Sequence, residues 1–204
     1  MYAPEFEYHR AATVAEAIQL LSSNEDAKLI AGGHSLLPLL KLRLARPSVL
    51  VDIGRISELK GITISDGTVR IGALTTHWEI ASSHDLEHAC GIMAEAAGGI
   101  GDTQVRNRGT IGGSLAHLDP AAELPAVFSA HDAVLHLASA NGAREVPIGG
   151  WSQGFMAPDL EPDELLTAIA FSPWPAGHGH AFLEMARRHG VLPFCADRLG
   201  ARHG

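Results

Sequence analysis

The chain has 204 residues, 46% of them apolar and 19% charged, with a formal net charge of -8. That balance suits one sizeable domain, or two small ones sharing an interface, and excludes a compositionally disordered chain. The acidity argues against a nucleic acid or an anionic membrane as partner, while an anionic cofactor stays open because backbone amides bind phosphate without basic side chains.

The only cysteines, Cys90 and Cys195, lie far apart. They cannot supply the four thiolates of an iron–sulfur cluster and do not form a disulfide framework. The first residues carry neither a basic nor an apolar leader pattern, and no apolar run reaches membrane-spanning length. A soluble, cytoplasmic protein without membrane insertion is the expectation.

In chain order, Thr13 and Glu16 read as a capping box, and Val14, Ala17, Ile18 and Leu21 then share one helical face. Residues 27–30 form a short apolar run entering Gly32-Gly33, as a buried strand enters a tight loop. Residues 36–44 read as helix, with Lys41, Arg43 and Arg46 near its C-terminal end and Pro47 beyond. Residues 49–53 form a second buried strand. Between 61 and 72, Asp66-Gly67 marks a hairpin. Thr76 and Glu79 form another capping box. Asp85 is expected to cap a longer helix through residue 97, with Leu86, Ala89, Cys90, Met93 and Ala97 on one side and Gly98, Gly99 and Gly101 ending it. Asp119-Pro120 signals a further helix whose buried stripe is Leu124, Val127 and Phe128. Residues 134–137 and 165–171 are β-like. The expected class is α+β, with two α/β subdomains at 1–55 and 56–176 and a remainder at 177–204.

Two segments share a glycine-rich design, Leu29-Ile30-Ala31-Gly32-Gly33-His34-Ser35-Leu36 and Gly109-Thr110-Ile111-Gly112-Gly113-Ser114-Leu115-Ala116. Glycines let backbone approach an anion and turn successive amides into one concavity, and Ser35, Thr110 and Ser114 add hydroxyl donors. Neither segment has the Walker lysine or the Gly-x-Gly-x-x-Gly spacing. A diphosphate gripped from both sides is the hypothesis.

Other residues invite blander readings. His178 and His180 form the only close histidine pair, read as solvated loop residues rather than metal ligands. Arg106 and Arg108 read as surface or structural cations, the three tryptophans as packing, and Cys90 as a buried structural thiol.

The segments Ala31-Gly32-Gly33-His34-Ser35-Leu36-Leu37-Pro38, Lys41-Leu42-Arg43, Val51-Asp52-Ile53 and Gly72-Ala73-Leu74-Thr75-Thr76 occur in that order. They are followed by Gln104-Val105-Arg106-Asn107-Arg108-Gly109-Thr110-Ile111-Gly112-Gly113-Ser114-Leu115-Ala116-His117 and Asp119-Pro120-Ala121-Ala122-Glu123. Together they resemble the FAD-binding medium subunits of molybdenum hydroxylases, of the carbon monoxide and xanthine dehydrogenase kind. The resemblance covers residues 1–190.

It implies a PCMH-type FAD-binding domain, with Ala31, Gly32, Gly33, His34 and Ser35 and then Thr110, Ile111, Gly112, Gly113 and Ser114 around the pyrophosphate. Leu29, Ile30, Leu36, Ala73, Gly101, Asp102, His117, Asp119 and Glu123 would line the adenosine or flavin portions. Glu123 stands where relatives often carry aspartate. No side chain is expected to act as a catalytic acid or base, and no metal ligands are expected. The implied work is electron relay: a molybdopterin-containing large subunit oxidises substrate, a 2Fe-2S small subunit passes electrons on, and FAD delivers them to quinone, NAD or oxygen. From residue 191 the likeness stops, so a shortened C-terminal domain is a further expectation. A stand-alone flavin reductase of the same fold and a non-catalytic remnant are the competing readings.

Overall fold

A computed structural model describes residues 2–185 and the two-residue strand at 195–196. Strand β1 (Glu7–Arg10), helix α1 (Val14–Ser23), β2 (Ala27–Ile30), α2 (Leu36–Lys41) and β3 (Val49–Asp52) build a parallel three-stranded sheet in the order β1-β3-β2. Thr13 caps α1 by accepting from the Glu16 amide, and the Glu16 carboxylate reaches back to Ala12, one residue before the expected amide. Ala17, Ile18 and Leu21 turn inward onto Val49, Val51 and Ile53.

The chain then forms the hairpin β4 (Ile62–Ser65) and β5 (Thr68–Gly72). Asp66 and Gly67 both take positive φ, 51° and 72°, the conformation a two-residue hairpin with right-handed twist requires. Six helices follow: α3 (His77–Ala81), α4 (His84–Ala89), α5 (Gly91–Gly99), α6 (Thr103–Arg106), α7 (Ile111–His117) and α8 (Glu123–Ala130). β6 (Val134–Ser139), β7 (Gly142–Pro147), the small hairpin β8 (Ser152–Gly154) and β9 (Ala157–Pro158), and β10 (Leu165–Phe171) come next. A pair at β11 (Glu184–Met185) and β12 (Cys195–Ala196) completes the described strands. The second sheet is antiparallel in the order β4-β5-β10-β6-β7.

Its core gathers Ile71, Met93, Ile111, Leu115, Phe128, Leu135 and Ile169, all fully enclosed. Complete burial of each such side chain is worth roughly 1.5–3 kcal/mol. Leu74 and Leu165, which follow the first sheet in the chain and flank or belong to strands of the second, pack instead into the core of the first sheet. These two residues join the layers at the seam where the site lies.

Three expectations are corrected. The long helix from Asp85 to residue 97 is two helices, α4 capped by Ser83 and α5 starting at Gly91, with Cys90 between them in a non-helical conformation (φ -155°, ψ 72°). Helix α8 opens at Glu123, because the Asp119 side chain accepts from Ala121 in a local turn and does not cap the helix. Helix α2 stops at Lys41, since Arg43 takes a left-handed φ of 61°. Arg187, Arg188 and most of the 177–204 segment's divergent end lie outside the described residues.

Candidate cofactor site

The first glycine segment leaves β2 at Ile30, whose carbonyl is held by the Ile53 amide at 3.1 Å. Gly33 turns with a φ of 78°, a conformation only glycine adopts cheaply. α2 then begins, with Leu37 donating to the Gly33 carbonyl. Among the described residues, the amides of Gly32, Gly33, His34 and Ser35 have no hydrogen-bond partner. Successive free amides at such a turn form an anion-binding concavity.

The second segment is built differently. Its glycine pair is not a loop ahead of a helix but the first turn of α7. The Ile111 amide donates to Thr75 O, Gly112 to Ala73 O and Gly113 to the Thr110 hydroxyl, at 3.0, 2.8 and 3.2 Å. These donors are already used within the protein. Gly112 is glycine because its Cα lies on the Ala73 backbone, where a Cβ would come within 2.7 Å of the carbonyl oxygen. What this segment presents to a ligand is the Ser114 hydroxyl and the surface of α7. The two segments therefore differ: the first leaves successive amides without partners, whereas the Ile111, Gly112 and Gly113 amides of the second are engaged.

The two segments touch. A Cβ on Gly32 would meet the Arg108 carbonyl oxygen at 1.9 Å, so backbone packs directly on backbone there. The His77 amide donates to Gly109 O at 3.0 Å, and a bridge joins Thr76 to Thr110. Arg106 is structural: its guanidinium donates to the carbonyls of Ile100 and Gly101, at 2.9 and 3.1 Å, and among the described residues it joins no ion pair.

A cavity of about 890 Å³ lies along this seam, within the range of cofactor clefts. It is lined by Leu29, Ala31, Gly32, Gly33, His34, Ser35 and Leu36 from the first segment, and by Ala73 and Gly101 from the adjoining turns. Thr110, Gly112, Gly113, Ser114 and His117 of α7, with Asp119 and Glu123, complete the expected set. Ile30, Asp102 and Ile111 do not line it. Asp102 is the cap of α6, accepting from Val105 at 2.8 Å, and Ile111 is fully enclosed in the core beneath.

Two parts of the site escaped sequence reasoning. His77 lines the cavity but was legible only as part of a helix-capping motif. The far wall, including Leu160, Glu161, Glu164, Leu165 and Leu166, carries no motif at all. It is shaped by Arg144 of β7, which donates to both Glu164 carboxylate oxygens at 2.6 and 2.7 Å and to Asp159 at 3.0 Å. Glu164 in turn accepts from the Glu161 amide.

Burial dominates the electrostatics. It pushes the Glu123 carboxyl up to about 7, with repulsion from Glu184 and Asp119 adding to the effect. It pushes His77 down to about 4, assisted by His34. His77 is therefore a neutral imidazole near neutrality, while Glu123 is divided between its neutral and ionised forms there.

Fold and site together define a domain of a parallel and an antiparallel sheet with a cavity of cofactor size along their seam. Residues 4–174 match the family described as the FAD binding domain in molybdopterin dehydrogenase, and the chain belongs to that family. It is 46% identical over 191 residues to the 6-hydroxypseudooxynicotine dehydrogenase complex subunit alpha of Paenarthrobacter nicotinovorans, covering 93% of this chain and 64% of that one. It is 44% identical over 191 residues to the carbon monoxide dehydrogenase medium chain of Hydrogenophaga pseudoflava, covering 93% of this chain and 67% of that one. A solved structure of carbon monoxide dehydrogenase from the latter organism, lacking the Mo-pyranopterin moiety, superposes with a TM-score of 0.92 at 45% identity, over 95% of this chain and 68% of that one. The chain thus spans about two thirds of the length of these relatives. FAD is the cofactor of the family, and the free amides beside a cleft of this size fit its diphosphate.

Among the described residues, no helix is long and apolar enough to cross a membrane, and no cluster of His, Cys, Asp and Glu could hold a metal ion.

Proposed function

We propose that this chain is the FAD-binding electron-transfer subunit of a molybdenum hydroxylase complex, read as two FAD-binding subdomains, 1–55 and 56–176. In this reading it works beside a molybdopterin-containing large subunit and a 2Fe-2S small subunit in the cytoplasm. The observation that carries it is the run of partnerless amides from Gly32 to Ser35, opening on the cavity of a chain that belongs to this family.

Each part of the site has a physical task. The amides of the first segment bind the diphosphate by fixed dipoles, so no cationic side chain is needed. The Ser35 and Ser114 hydroxyls add donors at the same seam. Glu123, neutral for part of the population near pH 7, can donate as well as accept. Leu160, Leu165 and Leu166 keep the opposite wall dry. Bound FAD supplies the exchange of one electron with a cluster and two with an acceptor, chemistry that belongs to the cofactor and requires no protein acid or base. Quinone, NAD or oxygen is the proposed class of acceptor.

The test is flavin content. Protein purified with its flavin, or apoprotein titrated with FAD, should bind about one equivalent and turn yellow; colourless folded protein that takes up no FAD overturns the reading. Co-purification with a molybdopterin chain and a 2Fe-2S chain tests the assembly. A chain that reduces its flavin with a pyridine nucleotide and turns over alone would favour a stand-alone reductase.

A further inference from the structure

The segment leaving β10 is held to the second core by a ladder of rings. His131, just past α8, packs its imidazole against Phe171 at 4.9 Å and stacks on Trp174 at 4.2 Å and 20°. Trp174 meets His178 edge-on at 5.2 Å, and His178 lies 5.6 Å from His180. His180 rests on Gly91, where a Cβ would meet its ring at 2.9 Å, and stands 3.7 Å from Glu95 of α5. Trp174 and Phe182 pack on the core itself. Beyond them β11 brings Glu184 within electrostatic reach of Glu123, which lines the cavity.

His131 is the innermost rung. It is 7% exposed, and both ring nitrogens are engaged, Nδ1 with Ser172 O at 3.4 Å and Nε2 with Cys90 Sγ at 3.2 Å. A carbonyl oxygen only accepts, so Nδ1 carries the hydrogen and Nε2 accepts from the Cys90 thiol. Burial keeps that thiol protonated. The arrangement therefore fits the neutral ring alone. A second proton, on Nε2, would face the S–H donor and put a cation into a buried stack. Attraction of that cation to the Trp174 face is worth about 0.5–2 kcal/mol, less than the several kcal/mol that burying an ion costs. With His178, His180 and Asp132 as the charged neighbours, burial still holds the imidazole below its ordinary range.

We propose that the segment 172–185 is a latch, closed on neutral His131 near neutrality and released when acid protonates that ring, which withdraws Glu184 from Glu123. The latch does not rest on the FAD reading. Its closed form binds fewer protons than its open form. Closure is therefore fully favoured above 6.5, the ordinary imidazole value, and weakens by up to tenfold per pH unit below it, until the lowered value is passed. Two pairs pull the other way. Protonated His180 attracts Glu95, but both are partly exposed and the pair is correspondingly weak. Repulsion between Glu184 and Glu123 fades as Glu123 takes its proton near 7, before the His131 window opens.

The test is fluorine NMR on the full chain labelled with 5-fluorotryptophan. Its tryptophans are Trp78, Trp151 and Trp174, and Trp174→Phe assigns the last signal. As pH falls from about 7.5 to about 5, across the imidazole range, the Trp174 signal should move toward that of the free amino acid. It should also gain the solvent-isotope shift of full water contact, while Trp78 and Trp151 hold still. His131→Gln keeps a polar side chain that does not titrate, so its Trp174 signal should not change with pH. A wild-type Trp174 signal that ignores pH overturns the proposal. So does one that moves only together with Trp151, which reports general unfolding, or one that still titrates in His131→Gln. Should His131→Gln fail to fold, the His131 ring resonances of the wild type decide. They must titrate below 6.5 and in step with Trp174; titration at or above 6.5 refutes the latch.

Discussion

Gly32 and Arg108, 76 positions apart in the sequence, lie backbone against backbone: a methyl group at Gly32 would sit 1.9 Å from the Arg108 carbonyl oxygen. Two neighbouring glycines thereby acquire different reasons for being glycine. At Gly33 the constraint is a φ of 78°, while its Cβ would meet flexible side chains, Leu37 at 3.0 Å and Ile30 at 3.5 Å. Gly32→Ala must push two backbone segments apart and should cost about 2–4 kcal/mol, whereas Gly33→Ala should cost about 1 kcal/mol. Urea unfolding of the two apoproteins checks the order. Equal losses would mean that the segments do not touch as described. Gly33→Val should strip FAD as well, by placing a branched side chain among the free amides.

Arg144 acts on the cavity from a distance. Arg144→Met removes its fork onto Glu164 and its bond to Asp159, leaving a buried carboxylate without its cation. Because the arginine itself is 37% exposed, solvent offsets part of the loss, and the expected destabilisation is about 1–2 kcal/mol. FAD should bind several-fold more weakly as the 159–164 turn loosens. Adding Glu164→Gln to Arg144→Met should recover part of both, measurable as a double-mutant cycle. Arg144 also holds the Glu164 carboxyl below the usual carboxylate range. The stability from this pair is therefore present above the unfolded carboxylate pKa and lost as pH falls through the folded value.

Glu123 should give the opposite pH dependence. Burial raises its carboxyl from 4.5 to about 7, so the folded apoprotein holds the proton more tightly than the unfolded chain. Its contribution is fully present below about pH 4.5 and lost as pH rises through about 7. Glu123→Gln should remove this loss, making the apoprotein more stable than wild type above neutrality by on the order of 2 kcal/mol, with the difference vanishing in acid. Denaturation midpoints across pH decide it. A difference that grows toward acid pH would contradict the burial of this carboxyl.

Cys90 sits between α4 and α5 with its sulfur 3.2 Å from His131 Nε2, and burial pushes its thiol up to about 11. A nearby histidine often signals a reactive thiolate, yet here burial wins. Alkylation near neutral pH, followed by peptide mapping, should leave the Cys90 peptide unmodified in the native protein and modify it in denaturant. Rapid native labelling would show that the pair is more open than described.

The parts of the molecule legible in the sequence are those with local causes. Asp66-Gly67 and the Thr76–Glu79 box work within four residues, and the apolar strands 27–30, 49–53 and 165–171 announce their own burial. The first glycine segment was legible for the same reason. Sequence periodicity could not show the break at Cys90, because apolar residues continue at helical spacing straight through it. Strand β1 was missed because Glu-Tyr-His-Arg is polar and half exposed; it is a strand only because β3 lies beside it. The role of the second glycine pair depended on acceptors at Ala73 and Thr75, nearly forty residues upstream, and the far wall on an arginine in another strand. Both are tertiary facts with no local signature.

Strand β10, which occupies the middle of the antiparallel sheet between β5 and β6, is the last of the five to be synthesised, and its first residue also fills the core of the parallel sheet. On a ribosome, β4–β5 and β6–β7 can only wait as separate hairpins with their inner edges unpaired until residue 171 has emerged. The cleft acquires its second wall at that same moment, so cofactor loading is a late event, and the nascent chain is most exposed to aggregation just before it.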